Sequence, residues 1–307
     1  MTMTSAAISQ ESTHGDCANC GAALAGPFCA QCGQSAEALK RPVWEFLEHT
    51  LEVLLDFDTR GLKTIKLLFK PGEMTAQYLA GHRARFVPPV RLYILVSLLF
   101  FLAVWATNTA IVQFYDAGAP EGGTITAARL GTRLFAPLDE HLAVGAEAAA
   151  AQIHSLDIDG HMPDWVAHIS AGLQRGAADP KLLNGRLSEL FPKAMFALVP
   201  IFAVLSRLLY LGRGRYLVEH VIFALHFHTF AFLLMTALIL IRPILPGGFA
   251  GWMFFLPAGI YLLIAMRRVF GGSWLGNLWR ELVLLLLYDI IFSMSMVFLV
   301  GMGLNDL

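Results

Sequence analysis

Five apolar runs of this 307-residue chain are long enough, or nearly so, to cross a hydrocarbon layer of about 30 Å at about 1.5 Å per helical residue. They cover 90–111, 194–211, 217–241, 252–266 and 282–304, the fourth being the shortest. Inside a bilayer no water satisfies a backbone N–H or C=O, so runs of this length must fold as helices. The composition fits: 56% hydrophobic, 15% charged, with a mean hydropathy of +0.60. An ordinary soluble domain is excluded. A formal net charge of −1 gives no reason to expect nucleic acid as a partner. The reading is an all-α polytopic membrane protein of about five transmembrane helices whose first partner is the lipid bilayer.

Basic residues set the orientation. Arg83, Arg85 and Arg91 lie around the start of the first run, Arg207, Arg213 and Arg215 around the second loop, and Arg267, Arg268 and Arg280 before the fifth run. The alternate loops are poor in positive charge, and the long segment 113–192 has a net charge of −5. Residues 1–12 lack the charge and the apolar stretch of a signal peptide. The expectation is a bacterial inner-membrane protein with its N-terminus in the cytoplasm and its C-terminus in the periplasm.

All four cysteines, Cys17, Cys20, Cys29 and Cys32, fall within sixteen positions in the spacing C-x2-C-x8-C-x2-C. Each pair is followed by glycine, Gly21 or Gly33, which suits the positive-φ position of a metal knuckle. Two such turns complete a tetrahedral S4 site with no open position, hence a structural one. Zinc is the expected ion, with rubredoxin-like iron its competitor. Two disulfides are the alternative, but they need an oxidising compartment, and the arginine asymmetry places the quartet in a reducing one.

Along the chain, 1–14 reads as disordered and 15–35 as the zinc ribbon. Residues 40–89 read as short amphipathic interfacial helices at 43–55, 62–69 and 73–80; such helices can lie in the membrane interface, pack against the cytoplasmic ends of the spans, or do both. Lys63 and Lys66 mark the second of these. Segment 113–192 reads as an extracytoplasmic helical cap or partly mobile domain, helical at 143–151 and 165–173, with turns at 118–123 and 156–163. His154, His161 and His168 recur there at seven-residue intervals, but Gly160 and Pro163 interrupt any single helix that would align them on a metal.

A resemblance adds to this. Cys17-Ala18-Asn19-Cys20-Gly21, Phe28-Cys29-Ala30-Gln31-Cys32-Gly33 and Asp56-Phe57-Asp58 open the pattern. Leu67-Leu68-Phe69-Lys70-Pro71-Gly72, Tyr78-Leu79-Ala80-Gly81-His82-Arg83 and the stretch from Tyr216 to His226 continue it. Together they resemble a bacterial family of uncharacterised integral membrane proteins with an N-terminal zinc ribbon. The likeness implies a membrane protein with a cytoplasmic ribbon and implies no activity.

Polar groups at bilayer depth each cost about 2.5–3.5 kcal/mol on insertion scales and so call for partners. The candidates are Glu219, His220, His226 and His228 on the third run, Arg207 on the second and Asp289 on the fifth. Depth matching suggests a His–Asp contact between the third and fifth helices and an Arg207–Glu219 contact nearer the cytoplasm. Three readings stand: polar contacts holding the bundle together, proton or ion coupling through Glu219, His226 and Asp289, and an intramembrane metal or haem site.

No P-loop, G-x-S-x-G, H-E-x-x-H or G-x-G-x-x-G occurs. Only His82, Arg83 and Arg85 would serve an enzyme acting on lipid-linked substrates. The leading expectation is therefore a non-enzymatic binding or assembly module, reaching a cytoplasmic protein through the ribbon and open to oligomerisation. A small proton- or ion-coupled transporter is the rival.

Overall fold

The structure, a computed structural model, describes residues 15–36, 61–116, 130–137, 164–165, 168–169, 171–172, 180–244 and 251–303. Two short helices, α1 (Gly61–Leu68) and α2 (Glu73–Leu79), precede the first long one, α3 (Pro89–Ala106). A hairpin of β1 (Thr109–Asp116) and β2 (Leu130–Pro137) follows, then α4 (Pro180–Leu209), α5 (Leu217–Ile241), α6 (Trp252–Phe270) and α7 (Trp274–Gly303). Five helices, α3 to α7, are long and apolar enough to cross a membrane. The membrane part is all-helical, as the apolar runs require.

Three boundaries differ from the sequence reading by five residues or more, and α6 runs on to Phe270 rather than ending at 266. α3 stops at Ala106 rather than at 111: the Thr107 hydroxyl donates to the Ala103 carbonyl (2.7 Å), and Asn108 turns the chain at φ 46°. The apolar residues beyond are β-branched and aromatic, and they form β1, paired antiparallel with β2 from Thr109 opposite Pro137 to Asp116 opposite Leu130. A helical cap did not anticipate this hairpin. α4 begins at Pro180, inside the segment assigned to the cap, and its apolar part runs from Glu189. α7 begins at Trp274 rather than 282, because the Ser273 hydroxyl accepts the Gly276 N–H (3.1 Å) and starts the helix early. The expected elements at 1–14, 43–55, 118–123, 143–151 and 156–163 lie outside the described residues. Within 165–173 the described residues are helical.

α5 is apolar all round and is accordingly the central span, packed by α3, α4 and α6. Aromatic rings fill its contacts: Phe100 meets Phe232 (4.9 Å between centroids), Phe227 stacks on Phe202 (5.4 Å), and Phe230 stacks on Tyr261 (3.7 Å). α7 packs on α4 and α6 and is the least covered span.

The two described short helices pack on the spans. Leu68, Met74, Thr75 and Tyr78 are buried. Tyr261 donates its hydroxyl to the Leu68 carbonyl (2.8 Å), and Phe69 meets Phe230 edge-on (5.8 Å). Phe230 lies about 20 Å along α5 from Leu217, so the α1–α2 hairpin reaches well past the helix ends. Its turn depends on Gly72. The residue sits at φ 69°, and a Cβ there would lie 2.8 Å from the Ala265 Cα on α6. Arg268 closes the turn by donating to the Pro71 carbonyl (2.6 Å) and pairing with Glu73 (3.5 Å).

Gly72→Val adds a left-handed backbone penalty to a backbone clash and should lower stability by about 3 kcal/mol. Gly212→Ala, also at positive φ but facing open space, should cost only about 1 kcal/mol. Unfolding of the detergent-solubilised protein reads both, and equal losses would contradict the packing at Ala265.

Candidate metal centre and intramembrane polar groups

The ribbon is two copies of one turn, offset by twelve residues. In the first, Cys17 N–H bonds the Ala22 carbonyl (2.7 Å), Gly21 N–H bonds the Cys17 carbonyl (2.8 Å), and Asp16 bridges Ala23. In the second, Cys29 N–H bonds Gln34 (2.8 Å), Gly33 N–H bonds Cys29 (2.9 Å), and Phe28 bridges Ser35. Gly21 and Gly33 take φ 75° and 72°, which lets each turn fold back on its cysteines.

These turns bring the four sulfurs within 4.8 Å of one another. Cys17 and Cys32 are 3.6 Å apart, Cys20 and Cys29 3.5 Å. A tetrahedral ion with metal–sulfur bonds of about 2.3 Å would hold its sulfurs about 3.8 Å apart, so the quartet fits such an ion with small adjustments. No pair is a disulfide. Backbone N–H groups already point at the sulfurs. The Asn19 side chain and the Gln34 N–H hold the Cys32 thiol down to about 6, and the Cys32 and Gln31 N–H groups hold Cys29 below the usual thiol value. Against the Ala22 N–H, desolvation and the neighbouring sulfurs push Cys20 up to about 12. Four thiolates cannot coexist at this spacing without a cation to offset them.

Both turns are fastened to the segment between α2 and α3. The Gln34 side chain donates to the Gly81 carbonyl (2.6 Å) and accepts from the Arg83 and Ala84 N–H groups, both at 3.0 Å. Arg85 donates to the Asn19 carbonyl (3.0 Å), and Ala18 lies against Gly81, leaving no room for a Cβ there. Sequence reasoning passed over Gln34. Its only signal was its position, directly after the second Cys-Gly. On the outer side of the ribbon Phe28 remains 64% exposed.

Inside the bundle the predicted groups are buried but find other partners. His226 Nδ1 bonds the Thr75 hydroxyl on α2 (2.9 Å), and its ring meets Tyr78 edge-on. His226 Nε2 is buried with no partner among the described residues. His228 Nδ1 donates to the Ala224 carbonyl, and its Nε2 accepts from the Tyr288 hydroxyl, both at 2.8 Å. His220 Nδ1 bonds the Ser206 hydroxyl (2.8 Å), and its ring stacks on Phe270. The depth-matched pairs are not formed. Asp289 is exposed, turned about 100° around α7 from Tyr288, the side chain on that helix that meets His228. Glu219 pairs with Arg215 (3.5 Å) and caps Tyr216 N–H (3.2 Å) instead of meeting Arg207, whose Nη1 is buried with no hydrogen bond among the described residues. Depth along a helix was readable; rotation about its axis was not.

Glu281 was missed because it precedes the expected start of the fifth run, yet it is buried against Gly259 of α6. Arg91 is buried in α3, with Nε unpartnered among the described residues. His82, on the turn beneath the ribbon, is half-buried. Of His154, His161 and His168 only His168 is described, and it is exposed; His154 and His161 lie outside the described residues.

Residues 59–101 match the family model described as "Protein of unknown function (DUF3667)". The match spans α1, α2, the turn that holds the ribbon and most of α3, so it covers the docking surface of the ribbon rather than its cysteines. No curated protein and no solved structure matches the chain.

Two measurements follow. The purified protein should carry one metal ion per chain by elemental mass spectrometry, and Cys29→Ser should carry less than about a tenth of that. Loss of the ion should grow as pH falls, because protons compete for the thiolates; a metal content unchanged in the variant would exclude the S4 site. Thr75→Val should cost about 1 kcal/mol by leaving His226 Nδ1 unpaired. Asp289→Asn in monomeric, detergent-solubilised protein should cost nothing beyond about 0.5 kcal/mol. A larger loss for Asp289→Asn than for Thr75→Val would restore the helix-to-helix role for Asp289.

Proposed function

We propose that this is a multi-pass bacterial inner-membrane protein whose N-terminal ribbon carries structural zinc in the cytoplasm and serves as a fixed docking head for a cytoplasmic protein. The C-terminus then lies in the periplasm. The observation that carries this reading is the clamp of Gln34 on Gly81, Arg83 and Ala84. A closed S4 centre has no open position for chemistry. A head held at both turns is pre-organised, so a partner meeting it at exposed Phe28 pays little ordering entropy. Zinc suits an all-thiolate tetrahedral site in a reducing compartment and needs no redox role. The ribbon contacts the same end of the bundle as Arg268, which supports its placement on the arginine-rich, cytoplasmic side.

The proton- or ion-coupled reading has less support. His226, His228 and His220 are each tied to a different neutral partner, and Asp289 is exposed. Oligomer formation through the outward face of α7 belongs to the same proposal, since it would take Asp289 out of lipid.

Proximity labelling in cells tests the docking role. The full-length chain should label a cytoplasmic protein that a chain lacking residues 1–36 does not, with both inserted at equal levels. Identical neighbours for the two would contradict the docking head.

A further inference from the structure

On the side of the α1–α2 hairpin facing the ribbon's anchor lies a cleft of about 470 Å³, within the range of small-molecule sites. Its walls are cationic. Lys63, Lys66 and Lys70 occupy one face of α1 and its turn at helical spacing, and Arg85 faces them from the segment before α3. Leu67 and Phe86 form an apolar floor. Among the described residues no carboxylate lines the cleft. The nearest acid on α2, Glu73, pairs with Arg268 (3.5 Å) and accepts from Gln77 (2.8 Å), whose side chain also lines the cleft. Among the described residues none of the three lysines meets a carboxylate.

Four like charges around one small space raise the local positive potential, which an anion held between them would offset. Arg85 is not free to swing away, because its guanidinium is held on the Asn19 carbonyl of the ribbon (3.0 Å). The cleft also has a defined depth. Phe69, adjacent to Lys70, is 53% exposed and rests on Phe230 inside the apolar belt, while Arg268 marks the end of α6. Arg268 donates to the Pro71 carbonyl beside Lys70 (2.6 Å), which sets the cleft at the arginine-rich end of the bundle.

We propose that this cleft binds a phosphate-bearing anion, supplied by an acidic lipid headgroup on the ribbon side of the bilayer or by a free phosphate compound. Lysine ammonium groups and an anchored guanidinium provide the donors a phosphate requires, and the apolar floor accommodates the carbon skeleton attached to it. The ribbon takes part by fixing Arg85, which places a second use on the contact that secures the head.

The test uses the full-length protein in nanodiscs. One arm contains phosphatidylcholine with 20 mol% phosphatidylglycerol, and bound phosphatidylglycerol is counted by native mass spectrometry. The other contains phosphatidylcholine alone and is titrated with pyrophosphate, read by calorimetry. Lys63→Gln/Lys66→Gln/Lys70→Gln should lower binding at least tenfold in one arm, whereas the matching three-arginine variant and Arg267→Gln, a charge change outside the cleft, should retain it. Loss in the first arm identifies the headgroup as the source, and loss in the second identifies the free compound. Unchanged binding in the triple glutamine variant, or an equal loss in Arg267→Gln, would overturn the proposal. Unfolding in phosphatidylcholine discs confirms that the variants are folded.

Discussion

The approach of Gly72 to the Ala265 backbone sets the geometry of the arginine-rich end. With no side chain at that position, the turn between α1 and α2 seats directly on α6, and Arg268 and Tyr261 bind its carbonyl groups. The hairpin then wedges against α5, where Thr75 and Tyr78 cover His226. From this seat the chain leaves α2 at a fixed place, so Gly81, Arg83, Ala84 and Arg85 are presented as a rigid edge. The ribbon grips one side of that edge and the lysines of α1 face the other.

This ordering explains why the family match falls on 59–101 rather than on the cysteines. Residues 59–101 carry the connections between head and bundle: the Gly72 seat, the turn read by Gln34 and the start of α3. A ribbon is a small fold that needs its metal to hold together. Joining it to the bundle through side-chain contacts at both turns turns a local metal site into a constraint on the membrane domain.

Much of this was legible in the sequence. The five spans followed from apolar length, and the span at Leu217–Ile241 matched residue for residue because Arg213 and Arg215 precede it and Arg242-Pro243 follows it. The quartet followed from spacing. α1 and α2 followed from their short periodic patterns, with Pro71-Gly72 between them. The misses among the polar pairings share one cause: the sequence reports position along a helix but not rotation about it or the neighbour across from it. His226 and Asp289 were matched in depth and point in different directions. Lys63 and Lys66 looked like a basic flank until Arg85 came to face them. The β1 strand was hidden because its residues continue the apolar run of α3, and only the Thr107–Asn108 turn separates them.

The central claim is that metal in the S4 centre holds the ribbon on the edge formed by Gly81 to Arg85. Hydrogen–deuterium exchange on the full-length protein, with and without chelation of the metal, tests it most directly. The account predicts that the Arg83 and Ala84 amides, which bond Gln34, lose protection when the metal is removed, while the amides of α5 do not change. Protection at Arg83 and Ala84 that survives metal removal would show that the head holds its place without its ion, and would contradict the account.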